Sequence, residues 1–515
     1  MDPVSFDRRD FVTLLGSGAA LGGLLRGEVN QPAASGEPTP PSASDELCFM
    51  PAVDLARLVR ARRVSAREVM AAHLSRISRV NPTLNAIVAK LDDDKCLALA
   101  DAADRRTARG GTLGPLHGLP IAFKDLQPAV GFPFTRGSPI YRNDMPAEDS
   151  VLVERLRKAG ALAIGKTNVP EFGFGSQTYN NVYGTTVNPY DPTKTAGGSS
   201  GGAAAALASG MLPIADGSDM GGSLRNPGNF NNIVGFRPTV GLVPTAPTSF
   251  PVLGFSVNGP LARTVGDVAL LMSAMVGADS RDPGCIPMDP AVFREALARS
   301  VRGTRVAWCP DLGGLPLDNR VRSVLEAQRH TFESLGCVVE DACPDLTNAD
   351  SIFLTMRGFM NAATYAPLLA EHRDQMKPEA IFAVESGLRL QREDIARAMI
   401  QQGQLMDRMR RFQEKYEFIL CAVNQVPPFD AKVHWPQEIN GVQMDSYTAW
   451  MKSAYWITAT FRPAISVPAG FTTDGLPVGI QIVGRYREDF RLLQMAHAFE
   501  QATGFGKKRP PTTAS

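Results

Sequence analysis

Two glycine-rich segments carry serines that could act as nucleophiles. In the first, residues 195–202, Ser199 and Ser200 lie between two pairs of glycines and precede a run of four alanines that favours a helix. In the second, residues 216–227, Ser223 follows two glycines after an apolar, strand-like run. Glycines in such loops allow backbone shapes that a Cβ would forbid. Either segment alone is also compatible with a structural turn, and the two together indicate a serine hydrolase.

The second segment could also stabilise a developing negative charge. Consecutive N–H groups from Met220, Gly221, Gly222 and Ser223 can converge on one point. Convergent backbone donors of this kind form the oxyanion hole of enzymes that attack carbonyl groups.

A serine nucleophile needs a base, because its hydroxyl does not ionise near neutral pH. None of the six histidines lies in a comparably constrained setting, and His117 comes nearest to one. Lys124 is the better candidate, because it ends an apolar run, residues 119–123, that carries its amine inward. Burial lowers the pKa of a lysine, and a neutral amine can accept a proton. By position alone, a lysine at a strand end is more often a surface residue with a buried stem.

These residues stand in a fixed order along the chain. Lys124 and Ser199 are 75 residues apart, and Ser199 and Ser223 are 24 apart. Three further motifs accompany them, GKTNVPEF at 165–172, GFRPT at 235–239 and PAG at 468–470. From about residue 50 to about residue 505, this set resembles the amidase signature family of Ser-cisSer-Lys hydrolases.

The resemblance implies a triad of Lys124, Ser199 and Ser223, with a cis peptide bond between Gly198 and Ser199. Ser223 would attack the carbonyl carbon of an amide, and its proton would pass through Ser199 to neutral Lys124. The proton would return to the leaving amine, and water would hydrolyse the seryl acyl-enzyme. The negative oxygen would bind the N–H groups of Met220, Gly221, Gly222 and Ser223. The supporting polar residues of the motif would be Ser200, Asp219 and Arg225.

The elements around these motifs predict an α/β fold, one large domain with a mixed, mostly covered sheet flanked by helices. Residues 46–510 form the expected catalytic domain, and residues 345–455 a possible substrate-pocket subregion rich in Met and aromatic side chains. The helical spacing of Phe353, Met356 and Met360 favours a core stripe, with pocket lining as the alternative. Predicted strands lie at 120–123, 161–164, 212–215, 305–308 and 478–483, and predicted helices at 150–158, 264–275 and 319–335, besides one that opens at Ser65 and ends at Asn81-Pro82.

Composition limits the partners. A formal charge of +1 on 515 residues gives no basic field for nucleic acid or an anionic membrane. The histidines and the seven cysteines lack metal-ligand spacing, and the scattered cysteines do not indicate a disulfide framework. We therefore expect a small-molecule amide substrate, no cofactor and no metal. Oligomeric state is not encoded in any of these patterns.

The first 45 residues differ from the rest. Arg8 and Arg9 directly precede a mildly apolar stretch, residues 11–25, and a segment rich in Pro, Ser, Gly and Ala follows. This order resembles a twin-arginine export signal with a linker, which predicts a periplasmic enzyme of a bacterium. No later run is long and apolar enough to cross a bilayer. Without the signal, the enzyme would be cytoplasmic.

Three alternatives remain open. Residues 197–201 also fit the G-x-S-x-G nucleophile elbow of α/β-hydrolase esterases, in which Ser199 would attack and a downstream histidine would be the base. Some members of the resembled family are amidotransferase subunits that work with a tRNA-linked partner, which an export signal disfavours. A non-catalytic binding protein of the same fold is disfavoured by the presence of all three catalytic residue types. The substrate favoured by residues 345–455 is an apolar or aromatic amide.

Overall fold

Short runs of mostly apolar residues form the strands of the sheets. The computed structural model describes residues 43–511, so most of the predicted signal and linker lies outside the described residues. The strands are β1 (Ile87–Val88), β2 (Pro120–Lys124), β3 (Leu162–Thr167), β4 (Tyr179–Asn180), β5 (Gly184–Thr185), β6 (Ala215–Asp219), β7 (Val234–Arg237), β8 (Val257–Ala262), β9 (Arg305–Trp308), β10 (Val338–Asp341), β11 (Phe418–Ala422), β12 (Glu438–Ile439), β13 (Val442–Gln443), β14 (Ala464–Phe471) and β15 (Pro477–Val483).

The central sheet has eight strands in the order β10-β9-β11-β15-β14-β7-β8-β6. Strand β9 pairs in parallel with β10 and β11, whereas the pairs from β11 to β6 are antiparallel. Strands β11 and β15 are buried along their whole length, as expected for a sheet covered on both faces. The predicted α/β fold with a mixed, covered sheet is confirmed.

A second sheet brings the lysine motif to the serine segments. It has three strands in the order β1-β3-β2, with β2 parallel to β3. Strand β2 ends at Lys124 and packs against β6, the edge strand of the central sheet. The backbone N–H of Lys124 donates to the Asp216 carboxylate on β6 across 3.1 Å. This contact fixes the end of β2 beside the second serine segment.

Helices cover the sheets, and several begin at capping residues that their sequences indicate. Ser65 and Glu68 form the predicted capping box at the start of α3, and Ser150 and Thr264 cap α5 and α8. The helices are α1 (Ala43–Phe49), α2 (Ala52–Arg60), α3 (Ala66–Leu84), α4 (Asp93–Arg109), α5 (Val151–Lys158), α6 (Gly201–Ala208), α7 (Arg225–Phe230), α8 (Val265–Met275), α9 (Asn319–Ser334), α10 (Ala349–His372), α11 (Pro378–Leu388), α12 (Arg392–Lys415), α13 (Lys452–Ala459) and α14 (Asp489–Thr503).

Two predicted element boundaries are wrong. Helix α3 continues past Asn81-Pro82 to Leu84, because the chain leaves the helix only at Asn85, which has a left-handed conformation and donates its N–H to the Asn81 carbonyl. The strand predicted at 212–215 is β6, which begins where the prediction ends, because its buried residues include polar ones that hydropathy does not identify. The predicted strands at 120–123, 161–164, 305–308 and 478–483 match β2, β3, β9 and β15, and the helices at 150–158, 264–275 and 319–335 match α5, α8 and α9.

The cysteines differ from expectation at one point. Cys309 and Cys343 form a disulfide with their Cα atoms 5.2 Å apart, although the scattered spacing of the cysteines does not indicate a disulfide framework. The pair lies 34 residues apart in sequence and is brought together by the fold around β9 and β10. Among residues 43–511, no helix is long and apolar enough to span a membrane, and no cluster of ligand-type side chains could hold a metal ion.

Candidate active site

Lys124 is the centre of a buried polar cluster. Its side chain is fully buried, and its Nζ atom lies 2.8 Å from the Oγ atoms of both Ser199 and Ser200. The Oγ atom of Ser218, on β6, lies 2.9 Å from the same amine. The structure therefore turns Lys124 inward, so that three hydroxyls surround its amine.

Burial lowers the pKa of Lys124 to about 7, and the carboxylates of Asp216 and Asp219 oppose this shift. An amine with such a pKa is largely neutral just above pH 7 and can accept a proton from a hydroxyl in contact with it. The cluster therefore contains a base with the strength that general-base catalysis near neutral pH requires.

The first serine loop places Ser199 between Lys124 and open space. The peptide bond between Gly198 and Ser199 is cis, as the resemblance implies. Gly197 has a φ of +72°, and a Cβ at this position would lie 2.2 Å from the Oδ1 atom of Asn226. Helix α6 then begins at Gly201 and is completely buried. Only glycine fits where this loop passes the second serine segment.

The second serine loop turns sharply after β6. Gly222 has a φ of +118°, and a Cβ there would lie 2.7 Å from the Cβ of Ala454. The N–H of Gly222 donates to the Asp219 carboxylate across 2.9 Å. Met220, Gly221 and Ser223 instead lie on the wall of a cavity, and their N–H groups have no hydrogen-bond partner within residues 43–511. Of the four predicted oxyanion-hole donors, the N–H of Gly222 is thus already bonded within the loop, to Asp219.

Asp219 holds this loop in place. Its carboxylate accepts bonds from the N–H groups of Gly222 and Leu224 and from the guanidinium of Arg225, and Arg237 lies 3.4 Å away. Burial alone would raise the pKa of Asp219, but the two arginines hold it well below its usual range. Asp219 and Arg225 are therefore a buried ion pair that shapes the loop, and their supporting role in catalysis stays a prediction.

Both serine loops line one cavity of about 870 Å³. Ser199, Ser218 and Ser223 lie on its wall together, although Ser199 and Ser223 are only 3% and 8% exposed. No histidine lines the cavity within the described chain, and the His117 ring is bonded instead to Thr107 and Ala103. The esterase alternative with a histidine base therefore has no support in this geometry.

Aromatic and Met side chains make up much of the cavity wall. Phe353, Met356 and Met360 from α10 all belong to one buried core cluster, and Phe353 and Met360 also line the cavity. The predicted stripe is thus a core stripe, two members of which also line the pocket. The other aromatic and Met side chains on the wall are Phe134, Phe172, Phe174, Met220, Phe250, Phe255, Tyr365, Tyr447 and Met451.

Comparison with known proteins decides the family. The sequence profile described as Amidase matches residues 68–493. The chain belongs to the amidase signature family. An acylamidase of Rhodococcus erythropolis is 35% identical over 468 residues, covering 90% of this chain and 98% of the acylamidase. A glutamyl-tRNA(Gln) amidotransferase subunit of Thermosynechococcus vestitus is 32% identical over 487 residues, covering 88% of this chain and 98% of its own.

The fold agrees with this membership. The crystal structure of a bacterial aryl acylamidase of the amidase signature family superposes with a TM-score of 0.83 and 28% identity, covering 89% of this chain and 98% of that one. This amidase signature enzyme is thus an amidohydrolase, which cleaves the C–N bond of a carboxylic amide.

Two features of this amidase's site are missed by sequence reasoning. Ser218 contacts Lys124, and strand alternation offers a signal for it, because Ser218 lies two residues after Asp216 and so on the same face of β6. The loop at Gly173 packs beside Ser199, so that a Cβ on Gly173 would lie 3.4 Å from the Oγ of Ser199. Nothing in the spacing of residues 172–176 indicates that position.

Proposed function

We propose that this enzyme hydrolyses amides through an acyl-enzyme on Ser223, with Lys124 as the base and Ser199 as the proton relay. The observation that carries the proposal is the 2.8 Å contact between the buried Lys124 amine and Ser199, in a cavity that Ser223 also lines. The low pKa of Lys124 supports the same role, because a charged amine could not accept the proton.

In the first step, the Oγ of Ser223 attacks the carbonyl carbon. The proton of Ser223 moves to Ser199 as the proton of Ser199 moves to Lys124, so the amine becomes charged and the carbonyl oxygen becomes negative. The N–H groups of Met220, Gly221 and Ser223 are the donors available to that oxygen, since the N–H of Gly222 is bonded to Asp219. Each such donor typically lowers the barrier by about 3 kcal/mol.

In the second step, the C–N bond breaks. Lys124 returns its proton through Ser199 to the leaving nitrogen, which departs as a neutral amine. A water molecule then attacks the ester on Ser223 and gives its proton to the same relay. Release of the carboxylic acid restores neutral Lys124 and the free serine, so protons balance over the cycle.

The substrate we propose is an apolar or aromatic amide. The aromatic and Met side chains on the cavity wall support this, as do the acylamidase and aryl acylamidase relatives. A turnover panel of acetanilide-type amides, long-chain acyl amides, peptide amides and glutamine tests it. We expect the anilides or acyl amides to have the highest kcat/KM. A preference for small charged amides would contradict the proposal, and a preference for glutamine would favour the alternative of an amidotransferase component.

We also propose that residues 1–45 export the enzyme by the twin-arginine route. The paired Arg8 and Arg9 before an apolar stretch support this, and so does the Cys309–Cys343 disulfide, because disulfides persist mainly in oxidising compartments. Cell fractionation tests it. We expect shortened protein in the periplasm, and retention in the cytoplasm when Arg8→Lys and Arg9→Lys are combined. Full-length cytoplasmic protein, unchanged by these substitutions, would contradict export.

A further inference from the structure

Among the residues that the structure describes, three charged side chains lie on the cavity wall, and two of them have clear partners within the protein. Arg136 forms an ion pair with Asp144 across 3.0 Å. Asp282 accepts the backbone N–H groups of Thr245 and Gly284 and so holds its own loop. Arg357 is the third.

Arg357 has no acidic partner in the described part of the chain. Its guanidinium donates one hydrogen bond, to the Tyr447 hydroxyl, and lies 5.2 Å and 5.5 Å from the ring centres of Phe174 and Tyr447. Aromatic rings attract a cation but accept few of the five N–H bonds that a guanidinium offers. A half-buried arginine on a cavity wall thus has donors free for a ligand.

A second polar side chain of the cavity wall lies one helical turn further along α10. Asn361 lines the same cavity and is only 5% exposed, yet its Nδ2 atom is buried and has no hydrogen-bond partner among residues 43–511. Residues four apart on a helix share a face, so Arg357 and Asn361 are neighbours on the wall. Because a terminal amide can turn by 180° with little change in shape, Asn361 can present its NH₂ group to the cavity.

Two aromatic side chains connect Arg357 to the serine loops. Phe353, one turn before Arg357, packs on the second serine loop, so that a Cβ on Gly221 would lie 3.3 Å from the Phe353 ring. The Phe174 ring, which Arg357 faces, follows Gly173 beside Ser199. Arg357 thus faces the ring that follows the Gly173 loop, and it lies one helical turn, about 6 Å along the helix axis, from Phe353 on the second serine loop.

We infer that Arg357 and Asn361 bind a carboxylate on the substrate, so that the enzyme prefers amides with an aromatic or apolar body and a carboxylate end. This inference rests on the proposed amide hydrolysis and names the substrate class. The planar guanidinium fork fits a carboxylate with two parallel bonds, and Asn361 supplies a further donor. The aromatic wall encloses the body of the substrate.

Two matched pairs of anilides test the inference. 4-Acetamidobenzoate and acetanilide differ by a carboxylate on the amine side, and succinanilate and butyranilide differ by one on the acyl side. Calorimetric Kd values are measured on the Ser223→Ala protein, which holds substrate uncleaved, and kcat/KM on the enzyme with Ser223 intact. Both readouts are repeated with Arg357→Met, Arg357→Lys, Asn361→Leu and, as a matched control, Arg136→Met. Circular dichroism confirms that each variant folds, and the lysine variant retains the charge if the methionine variant does not fold.

We expect the carboxylate member of at least one pair to bind more tightly and react faster. Arg357→Met lowers that preference about 10- to 100-fold, the usual effect of losing hydrogen bonds to a charged group. Arg357→Lys retains part of it, Asn361→Leu lowers it several-fold, and Arg136→Met leaves the ratio unchanged. A purely structural role for Arg357 would affect both members of a pair equally.

The inference is overturned if neither pair shows a carboxylate preference, if Arg357→Met preserves the preference, or if Arg136→Met removes it equally. Normal turnover of the neutral anilides in any of these cases would leave the proposed amide hydrolysis standing. Absence of turnover with every anilide would count against the proposed function, while the calorimetric pairs would still decide whether Arg357 binds a carboxylate.

Discussion

The amine of Lys124 and the hydroxyl of Ser199 are 2.8 Å apart in a fully buried contact. Lys124 comes from a three-stranded sheet, and Ser199 from the loop before a helix that packs on the central sheet. A lysine so enclosed has a lowered pKa, and its neighbour is a group that can deliver a proton to it. The pH dependence of amide hydrolysis should therefore follow the protonation of this amine.

The rate of amide hydrolysis should depend on the protonation of Lys124. Below its pKa of about 7 the amine is charged and inactive as a base, so kcat/KM rises about tenfold per pH unit and levels off above pH 7. Lys124→Met removes the base and lowers kcat about 1,000-fold or more. A pH–rate series between pH 5 and 9 measures this. A profile that is flat across pH 7 would contradict a lysine base.

Ser218 should help to orient the Lys124 amine. Ser218→Ala removes a hydroxyl 2.9 Å from that amine, and we expect a fall of about tenfold in kcat. Ser209→Ala is the matched control, because Ser209 is also a buried serine, but its hydroxyl donates only to backbone carbonyls of α6. Steady-state kinetics and thermal unfolding on both variants separate orientation from stability. Equal kinetic losses in the two variants would show that Ser218 has no special role.

Gly222 should be essential because its backbone shape cannot accept a side chain. Gly222→Ala adds a Cβ at a φ of +118° and 2.7 Å from Ala454, and the distorted loop should lose at least about 100-fold in kcat. Gly475→Ala is the control, with a φ of +83° and no atom near the added Cβ. It should cost about 1 kcal/mol of stability without a kinetic effect. Full activity in Gly222→Ala would mean that the loop shape is not required.

The buried pair of Asp219 and Arg225 should be important for stability. Arg225→Met leaves a buried carboxylate that has lost its closest cation, and we expect the free energy of unfolding to fall by about 3 kcal/mol or more. Arg410→Met, which breaks exposed pairs with Asp407 and Glu414, should cost far less, because exposed ion pairs contribute little to stability. Urea unfolding measures both. Similar losses in the two variants would contradict a structural role for the buried pair.

Local patterns are sufficient to predict many of the elements. Strands such as β9 and β15 are apolar runs, and α3 and α8 begin at capping residues, so neighbouring residues alone determine them. Buried polar strands lack this signal. Hydropathy therefore misplaces β6, since Asp216 and Asp219 are buried only because a second sheet and two arginines meet them.

The site is predictable only where its residues form ordered motifs. Lys124 by position alone resembles a surface lysine, and the family resemblance assigns it a role. Ser218 lies inside the second serine segment, but nothing there distinguishes it from its neighbours, and Arg357 and Asn361 lie in no motif. The place of all three on the cavity wall depends on contacts between distant segments. The disulfide between Cys309 and Cys343 likewise depends on the fold rather than on spacing.

The central claim is that Ser223, and not Ser199, forms the acyl-enzyme. Labelling with a fluorophosphonate, followed by peptide mass spectrometry, identifies the serine that is modified. We predict a single modified peptide containing Ser223, no labelling of Ser223→Ala, and slower labelling of Ser199→Ala at Ser223. Modification at Ser199 that persists in Ser223→Ala and is abolished in Ser199→Ala would contradict the account.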